Sequence, residues 1–240
     1  MLVECSIEIR DVTVVLGERV VLKSVSAMLE EKLVCLIGPN GAGKTTLLKT
    51  LAGVVRVASG VVRVCGLSPE DARSVVSFVP SSLYVEPFTR VVDVMRAYAY
   101  RASSVARFEE ALEAVGLPKS TLWRRLGELS DGERRLALLA AALVRKPRVL
   151  LLDEPFSHLD LRNQVRVAKL LRLLAESSTL VLYTAHEPTH ALVARELLVL
   201  KNGSLIAKGP SRLILRASFL REVYEVDFVE TGGVPVVLMS

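Results

Sequence analysis

One eight-residue loop constrains this chain more than any other feature. Residues 38–45 follow the pattern G-x-x-x-x-G-K-[ST] and read Gly38, Pro39, Asn40, Gly41, Ala42, Gly43, Lys44 and Thr45. In this pattern the glycines let backbone N–H groups surround phosphate oxygens, the lysine reaches the β- and γ-phosphates, and the threonine hydroxyl faces Mg²⁺. Residues 33–37 are apolar like a buried strand, and leucines then recur at helical spacing. The loop therefore predicts a nucleoside triphosphate site at a helix N-terminus, where the helix dipole favours anions.

Length and composition allow one substantial core. The chain has 240 residues, of which 51% are hydrophobic, enough for one α/β core with at most a small satellite. The net charge is +5 and the basic residues are scattered, which favours a solvated surface over a nucleic-acid partner. The longest apolar stretch, residues 136–144, is far shorter than the roughly 20 residues that span a bilayer. We expect neither membrane insertion nor a signal peptide.

Cysteine and amide usage suggest a cellular setting. Cys5, Cys35 and Cys65 are the only cysteines, too few and too widely spaced for a disulfide framework or a zinc site. We therefore expect a reducing cytosol. Glutamine occurs once and asparagine three times, a depletion of thermolabile amides that is typical of thermophilic proteins.

Strand-like and helical patterns alternate along the chain, which predicts an α/β fold with a mainly parallel sheet. Residues 7–16 and 20–29 predict an N-terminal antiparallel part with a turn at Gly17-Glu18. Further strands are expected at residues 60–66, 75–79, 148–152 and 179–184, with a helix at 161–175. Helical periodicity from Val91 to about Val144 predicts a helical subdomain, approximately residues 86–146, inserted into this core.

The remaining segment predicts a hairpin and a short tail. Asn202-Gly203 between two apolar runs is typical of a type I′ hairpin. After Pro210 we expect one helix to about Tyr224 and a small hairpin at Gly232-Gly233. The whole of residues 1–240 is thus expected to form one nucleotide-binding domain, with the C-terminal helix and hairpin over residues 210–240.

Two adjacent carboxylates follow an apolar strand. Asp153 and Glu154 come directly after residues 149–152, and ligands of α/β sheets gather at the carboxyl ends of strands. Asp153 is suited to bind Mg²⁺, and Glu154 to orient or deprotonate an attacking water. Alone, the pair would fit a solvated acidic turn equally well. The phosphate loop favours the metal site, because that loop needs a carboxylate on a neighbouring strand.

A third motif, residues 129–133, opens a helix expected from about 133 to 145. Ser130 and Asp131 are both competent N-caps, so an ordinary helix start would explain them. A serine, a glycine and exposed helix N–H groups also make a second anion site. A monomer that already binds phosphate elsewhere has no obvious use for such a site.

In content and order these motifs resemble the nucleotide-binding subunit of ATP-binding cassette (ABC) transporters, over essentially the whole chain. That family has a phosphate loop, a glutamine-bearing loop, a helical subdomain, an L-S-G-G-Q signature, an L-L-L-D-E-P strand, an S-x-L-D loop and a lone histidine. Here the matches are residues 38–46, 129–133, 150–155, 157–160 and His186. The resemblance implies a P-loop NTPase fold with an inserted helical subdomain, ATP hydrolysis, and ATP and Mg²⁺ as cofactors.

The resemblance also implies a role for each matched residue. Two subunits pack head to tail, so that ATP on one is capped by Ser130 and Gly132 of the other. Glu154 positions the attacking water, His186 contacts the γ-phosphate and links it to Glu154, and Asp160 helps pass the state of each site to its neighbour. The implied catalytic residues are Lys44, Glu154 and His186, the metal ligands are Thr45 and Asp153, and the nucleotide-binding residues are Gly38, Pro39, Asn40, Gly41, Ala42, Gly43, Lys44, Thr45, Thr46, Ser130, Gly132 and Asp160.

The implied partners are a second nucleotide-binding subunit, expected to be identical, and separate membrane permease subunits. An external substrate-binding protein takes part indirectly. The expected location is therefore peripheral, on the cytoplasmic face of the cell membrane. His158 and His190 are given no role, because the first lies in a variable loop position and the second on an expected exposed helix.

Three residues depart from the family pattern. Ser81 follows Val79-Pro80 where the family has glutamine, and it is too short to reach Mg²⁺ or the attacking water. Leu16 stands where an aromatic residue stacks on adenine, so weaker adenine binding is expected. Asp131 replaces the first glycine of the signature, and its carboxylate has to turn away from the partner's γ-phosphate.

The expected cargo comes from resemblance beyond the shared motifs. Residues 129–134, Asn163-Gln164 and the tail at 209–226 are similar to ATPases of siderophore, haem and cobalamin importers. The plain alternative is generic helix and hairpin sequence. Other hypotheses are an ABC ATPase for another cargo class, a soluble ABC protein, and a catalytically weakened regulatory subunit.

Overall fold

The computed structural model describes residues 5–82, 84–99 and 104–238. The strands are β1 (Ile7–Leu16), β2 (Arg19–Leu29), β3 (Leu33–Ile37), β4 (Ser59–Val64), β5 (Val76–Val79), β6 (Val149–Leu152), β7 (Leu180–Thr184), β8 (Glu196–Lys201), β9 (Ser204–Pro210), β10 (Phe228–Thr231) and β11 (Val234–Val237). The helices are α1 (Lys44–Leu51), α2 (Val91–Ala99), α3 (Val105–Ala114), α4 (Asp131–Leu143), α5 (Leu161–Glu176), α6 (Pro188–Ala191), α7 (Ser211–Ile214) and α8 (Ala217–Tyr224). Short 3₁₀ turns cover Asp71–Ser74, Lys119–Trp123 and Leu126–Glu128.

A six-stranded sheet forms the centre of the molecule, in the order β5-β6-β7-β3-β8-β9. Its neighbouring strands pair in parallel except β8 and β9. Strands β3, β6 and β7 are buried along their whole length, as expected for apolar strands covered on both faces. The mainly parallel sheet is as predicted, and it brings the carboxyl ends of β6, β7 and β3 side by side.

A three-stranded antiparallel sheet, in the order β2-β1-β4, covers one side of the molecule. Its buried side chains, including Ile7, Val14 and Leu22, share a core cluster with Leu47 and Leu51 of α1. The predicted N-terminal antiparallel part is therefore present. Its packing fixes the helix that follows the phosphate loop.

Helices α2, α3 and α4 lie between β5 and β6 in the sequence. Their apolar faces meet in one cluster, which contains Met95, Phe108, Leu112 and Leu136. Helix α4 begins at Asp131, two residues before the expected start, because Ser130 caps it.

The tail differs from the single predicted helix. Leu215 and Arg216 leave the helical conformation between α7 and α8, with Arg216 extended at φ −112° and ψ 140°. The break lets Leu215 become buried in the main cluster. The expected hairpin is present as β10 and β11, with Gly232 and Gly233 at positive φ between them.

The cysteine prediction was wrong, because Cys5 and Cys65 form a disulfide across 60 residues of sequence. Strands β1 and β4 pair antiparallel with Ile7 opposite Val64. In this register Cys65, the residue after β4, donates its N–H to the backbone oxygen of Ser6 at 2.8 Å. Cys5, the next residue along the chain, therefore lies beside Cys65, and a wide spacing in sequence becomes a 4.4 Å separation of the Cα atoms. The remaining cysteine, Cys35, is buried in β3 with a free thiol. Cysteine usage therefore gives no support to the expected reducing compartment.

Within the described ranges, every helix falls short of the length and apolar character required to cross a bilayer.

Candidate active site

The phosphate loop joins the end of β3 to the start of α1. Gly38 has φ 146°, and a Cβ atom there would lie 2.0 Å from the backbone oxygen of Leu200. Gly43 has φ 104° and stands immediately before Lys44, the first residue of α1. Only glycine allows both the backbone conformation and the close approach to β8. The loop thus takes its shape from local sterics before any ligand binds.

Lys44 is buried against its own loop, with only 6% of its surface exposed. Its Nζ donates to the backbone oxygens of Gly38 at 2.6 Å and Pro39 at 3.0 Å. Burial lowers the pKa of Lys44, and the charges of Glu154 and Asp153 oppose that shift. A phosphate group would supply the negative charge that this ammonium lacks in its present contacts.

Asp153 follows β6 and is 1% exposed. One carboxylate oxygen accepts a hydrogen bond from Thr45 Oγ1 at 2.8 Å, and the other accepts from Thr184 Oγ1 at 2.8 Å. Thr45 lies in α1 and Thr184 ends β7, so residues after three adjacent strands meet here. The two expected metal ligands, Thr45 and Asp153, are therefore in direct contact.

Glu154 has a left-handed backbone with φ 54°, which is uncommon for a residue other than glycine. Its N–H donates to Thr184 Oγ1 at 2.8 Å. Its side chain lies 2.5 Å from Nε2 of His186 and accepts from Ser157 Oγ at 3.1 Å. The structure thus brings Glu154 and His186 together, as their expected roles require.

A cavity of about 430 Å³ opens beside this cluster. It is lined by Leu16, Arg19, Val21, Asn40, Gly41, Ala42, Gly43, Lys44, Thr45, Thr46, Glu154 and His186. Leu16 is 45% exposed here, at the position where the family pattern has an aromatic residue. A larger cavity of about 790 Å³ includes Cys5 and Pro147 in its wall, but it contains none of the loop residues and neither carboxylate. Of these two cavities, the first alone combines a phosphate loop with the carboxylate of Glu154.

Ser130 and Gly132 lie outside that cavity wall. Ser130 is the N-cap of α4: its side chain accepts from the N–H of Glu133, whose carboxylate accepts from the Ser130 N–H at 2.9 Å. Asp131 forms an ion pair with Arg134 at 3.3 Å. A Cβ at Gly132 would lie 3.2 Å from the His158 oxygen, so this motif packs closely on the loop after β6.

Asp160 and the remaining histidine lie further along that loop. Asp160 caps α5 by accepting from the N–H of Asn163 at 2.7 Å. His190 was expected on an exposed helix, but its ring is partly buried. The ring stacks on Phe156 with 4.6 Å between centroids, and burial lowers the pKa of His190. Phe156 and His190 line a small cavity of about 120 Å³ together with Glu154 and His186.

Two further residues at the site were missed by sequence reasoning. Arg135 of α4 is 8% exposed and donates to backbone oxygens that follow β5 and β6. The sequence did contain a signal for the burial of Arg135, because this arginine lies on the same helical face as the buried residues Leu138 and Leu139. Tyr224 in the tail accepts a hydrogen bond from the N–H of Gly38 at 3.0 Å. Because the two residues are 186 positions apart, no local pattern could reveal their contact.

A family model for ABC transporters matches residues 22–157, more than half of the chain. The chain belongs to the ABC transporter family. A hemin import ATP-binding protein, HmuV of Rhodopseudomonas palustris (strain BisA53), is 31% identical over 255 residues, covering 98% of this chain and 94% of the relative. A manganese transport system ATP-binding protein, MntA of Synechocystis, is 31% identical over 222 residues, covering 87% of this chain and 82% of the relative.

A solved ABC transporter in an inward-facing conformation has the same fold. Its TM-score is 0.82 at 24% identity, and the match covers 98% of both chains. The predicted α/β cassette fold is thereby confirmed. The chain is an ABC ATPase that binds ATP, as its motifs predict.

Proposed function

We propose that this ABC ATPase hydrolyses ATP at Glu154 and powers import through separate permease subunits. The observation that carries the proposal is the contact of Glu154 with His186 at 2.5 Å, next to Asp153 and the phosphate loop. A weakened regulatory subunit would have no need for this intact cluster. Ser81 and Leu16, which favour that alternative, lie outside the Glu154–His186 contact.

The residues beside the loop fit a magnesium ion. Mg²⁺ prefers oxygen ligands, and in nucleotide sites it is bound by one or two protein groups together with phosphates and water. The Thr45 hydroxyl and the Asp153 carboxylate supply this small oxygen set, 2.8 Å apart. No cluster of three or more His, Cys, Asp or Glu side chains suited to a metal occurs among the described residues, which agrees with a metal bound largely by its substrate. Such an ion would neutralise charge on the β- and γ-phosphates.

Glu154 is placed to orient the attacking water. One of its carboxylate oxygens contacts His186, the other accepts from Ser157, and the residue lines the same cavity as Lys44. A carboxylate held in this way accepts a hydrogen bond from water in a fixed direction. His186, which is 42% exposed at its side chain, is free to contact a γ-phosphate from the cavity side.

The signature motif supports a head-to-tail dimer. Ser130 and Gly132 stand at the N-terminus of α4, where helix N–H groups attract anions, yet neither residue lines this chain's own phosphate cavity. A second copy would give that anion site a ligand by presenting its ATP to Ser130 and Gly132. Asp160 then lies near the joint, because Gly132 packs against the loop just before α5.

The first test is Glu154→Gln, which keeps the shape of the side chain and removes its charge. It should retain ATP binding, accumulate an ATP-bound dimer and lose hydrolysis by at least about 100-fold, as expected for a general base. Glu176→Gln, at the far end of α5, is the matched control and should hydrolyse at the wild-type rate. Wild-type turnover by Glu154→Gln would remove the proposal.

Metal dependence is a separate test of Thr45 and Asp153. Chelation of Mg²⁺ should stop hydrolysis while leaving measurable nucleotide binding. Asp153→Asn should raise the Mg²⁺ concentration needed for half-maximal turnover more than it raises the ATP requirement. An unchanged metal requirement in Asp153→Asn would show that the ion is held elsewhere.

The proposed cargo is an iron chelate, haem or cobalamin. The hemin and manganese relatives are equally identical to this chain, but the hemin relative matches 98% of it, including the tail. Residues 129–134 and the tail at 209–226 carry the same resemblance. The expected assembly has two copies of this chain on the cytoplasmic face of a permease that an external binding protein serves.

Cargo class can be tested on the reconstituted complex. The binding protein loaded with haem, an iron chelate or a corrinoid should stimulate ATP turnover. Stimulation by Mn²⁺ or Zn²⁺ alone would instead assign the protein to a metal-ion importer. Failure to copurify with any membrane protein would favour a soluble ABC protein.

A further inference from the structure

A buried arginine of α4 joins the two strand ends that surround the carboxylates. Arg135 Nη1 donates to the backbone oxygens of Pro80 at 2.5 Å and Ser81 at 3.4 Å. Its Nη2 donates to the backbone oxygens of Asp153 and, at 2.9 Å, Glu154. The four acceptors belong to the segments after β5 and β6, which are neighbours in the sheet.

Burial of this charged side chain costs free energy unless the charge serves the site. A guanidinium stays charged in proteins, and Arg135 is 8% exposed. Among the residues that the structure describes, no carboxylate forms an ion pair with it at 4 Å or less. Its charge is met by four carbonyl dipoles and by the more distant charges of Asp153 and Glu154, which oppose the lowering of its pKa by burial. A neutral apolar side chain would fill the same space more cheaply.

The backbone of Glu154 is what the arginine holds. Glu154 is in the left-handed conformation, which costs free energy and persists where the surroundings determine it. Its N–H donates to Thr184, and its C=O accepts from Arg135 at 2.9 Å and from the N–H of Ser157 at 3.2 Å. With both backbone groups bonded, the side chain has a defined direction toward His186 and the cavity.

We infer that Arg135 is the positioning residue for Glu154, and that it links α4 and the Ser81 segment to the hydrolytic carboxylate. Ser81 is too short to touch the site itself, but its backbone oxygen shares a guanidinium with Glu154. The signature motif and Arg135 lie on one helix, five residues from Ser130. A displacement of α4 therefore reaches the carboxylate through one side chain.

The assignment rests on the role proposed above for Glu154, and ATP turnover of the isolated chain tests it. Arg135→Met removes the four hydrogen bonds while keeping an unbranched side chain. It should lower kcat by about 10- to 100-fold, as loss of a supporting residue does, with KM for ATP within about twofold of wild type. A residue that only stabilised the fold would not separate kcat from KM in this way.

Arg135→Lys is the second variant, for the case that Arg135→Met does not fold. Lysine keeps the positive charge and fills the space of the arginine. One ammonium cannot bridge both strand ends as a planar fork does, so kcat should lie between those of Arg135→Met and wild type. Arg145→Gln is the matched control: Arg145 also donates to two backbone oxygens, of Arg73 and Ser74, but outside the phosphate cavity. Its basal turnover should equal that of wild type.

The outcomes separate the two proposals. Wild-type kcat in both Arg135 variants, or an equal loss in kcat and in affinity for ATP, overturns the positioning role of Arg135. If Glu154→Gln is inactive in the same assay, hydrolysis at Glu154 stands and only the inference about Arg135 fails. If Glu154→Gln is active, the proposed function fails first.

Discussion

The Cys5–Cys65 disulfide closes a long loop, and the length of this loop determines how much the disulfide stabilises the folded protein. Cross-linking removes loop-closure entropy from the unfolded chain, and the removed entropy grows with the logarithm of loop length. For the observed separation of 60 residues, the chain-entropy relation corresponds to about 14 cal/mol/K, or about 4 kcal/mol at 25 °C. Breaking the disulfide should lower the free energy of unfolding by up to this amount.

The same loss can be expressed as a shift in melting temperature. A chain of 240 residues has an unfolding entropy of about 0.5 kcal/mol/K. A loss of about 4 kcal/mol therefore lowers Tm by about 8 °C. Native contacts between β1 and β4 remain, so the reduced protein should keep its fold and its ATP site at 25 °C.

The assay compares wild type with Cys5→Ser/Cys65→Ser, each melted with and without a thiol reductant. We expect the reductant to lower the Tm of wild type to that of the double variant, and to leave the double variant unchanged. Cys35 is buried and lies outside the disulfide. It therefore contributes one thiol to both proteins and serves as an internal control for the thiol count. The reasoning fails if unfolded wild type, never exposed to reductant, shows three alkylatable thiols, or if the four Tm values coincide.

Three further predictions concern the nucleotide site. Lys44→Ala should weaken ATP binding by at least about tenfold through loss of a charge-assisted hydrogen bond, measured by titration calorimetry; unchanged affinity would refute the role of Lys44. Gly38→Ala should cost about 3 kcal/mol or more of stability, because its Cβ would collide with the Leu200 oxygen; Gly17→Ala, with nothing within 4 Å, should cost clearly less in the same chemical denaturation. Leu16→Tyr should tighten ATP binding about fivefold if the ring stacks on adenine, and equal affinities would show that the base lies elsewhere.

Much of the fold could be predicted because local patterns and motif order agree. The apolar run before Gly38 and the run before Asp153 are each too short and too continuous for a surface helix, so both read as buried parallel strands. Their motifs require a common ligand, which places β3 and β6 near one another. The contact of Asp153 with Thr45 follows from that placement, and the contact of Glu154 with His186 follows from the position of β7 between β6 and β3.

Features that depend on register or on distant contacts could not be predicted in this way. The disulfide requires the pairing of β1 with β4, which the sequence does not state. The role of Arg135 depends on backbone oxygens, which carry no sequence signal, and Arg134 beside it reads as an equivalent surface charge. The break at Leu215 follows from burial in a core that forms only after the tail packs.

The position of the helices between β5 and β6 has a consequence for how such a chain can change. These two strands are immediate neighbours, and β5 lies at the edge of the sheet. The connection between them crosses only one strand spacing, so the helices that precede α4 can change in length without reordering any other strand. The phosphate loop and its carboxylates then keep the same neighbours, because α4, which carries Arg135, stays in place. Changes of length in this connection are thus confined to one edge of the sheet.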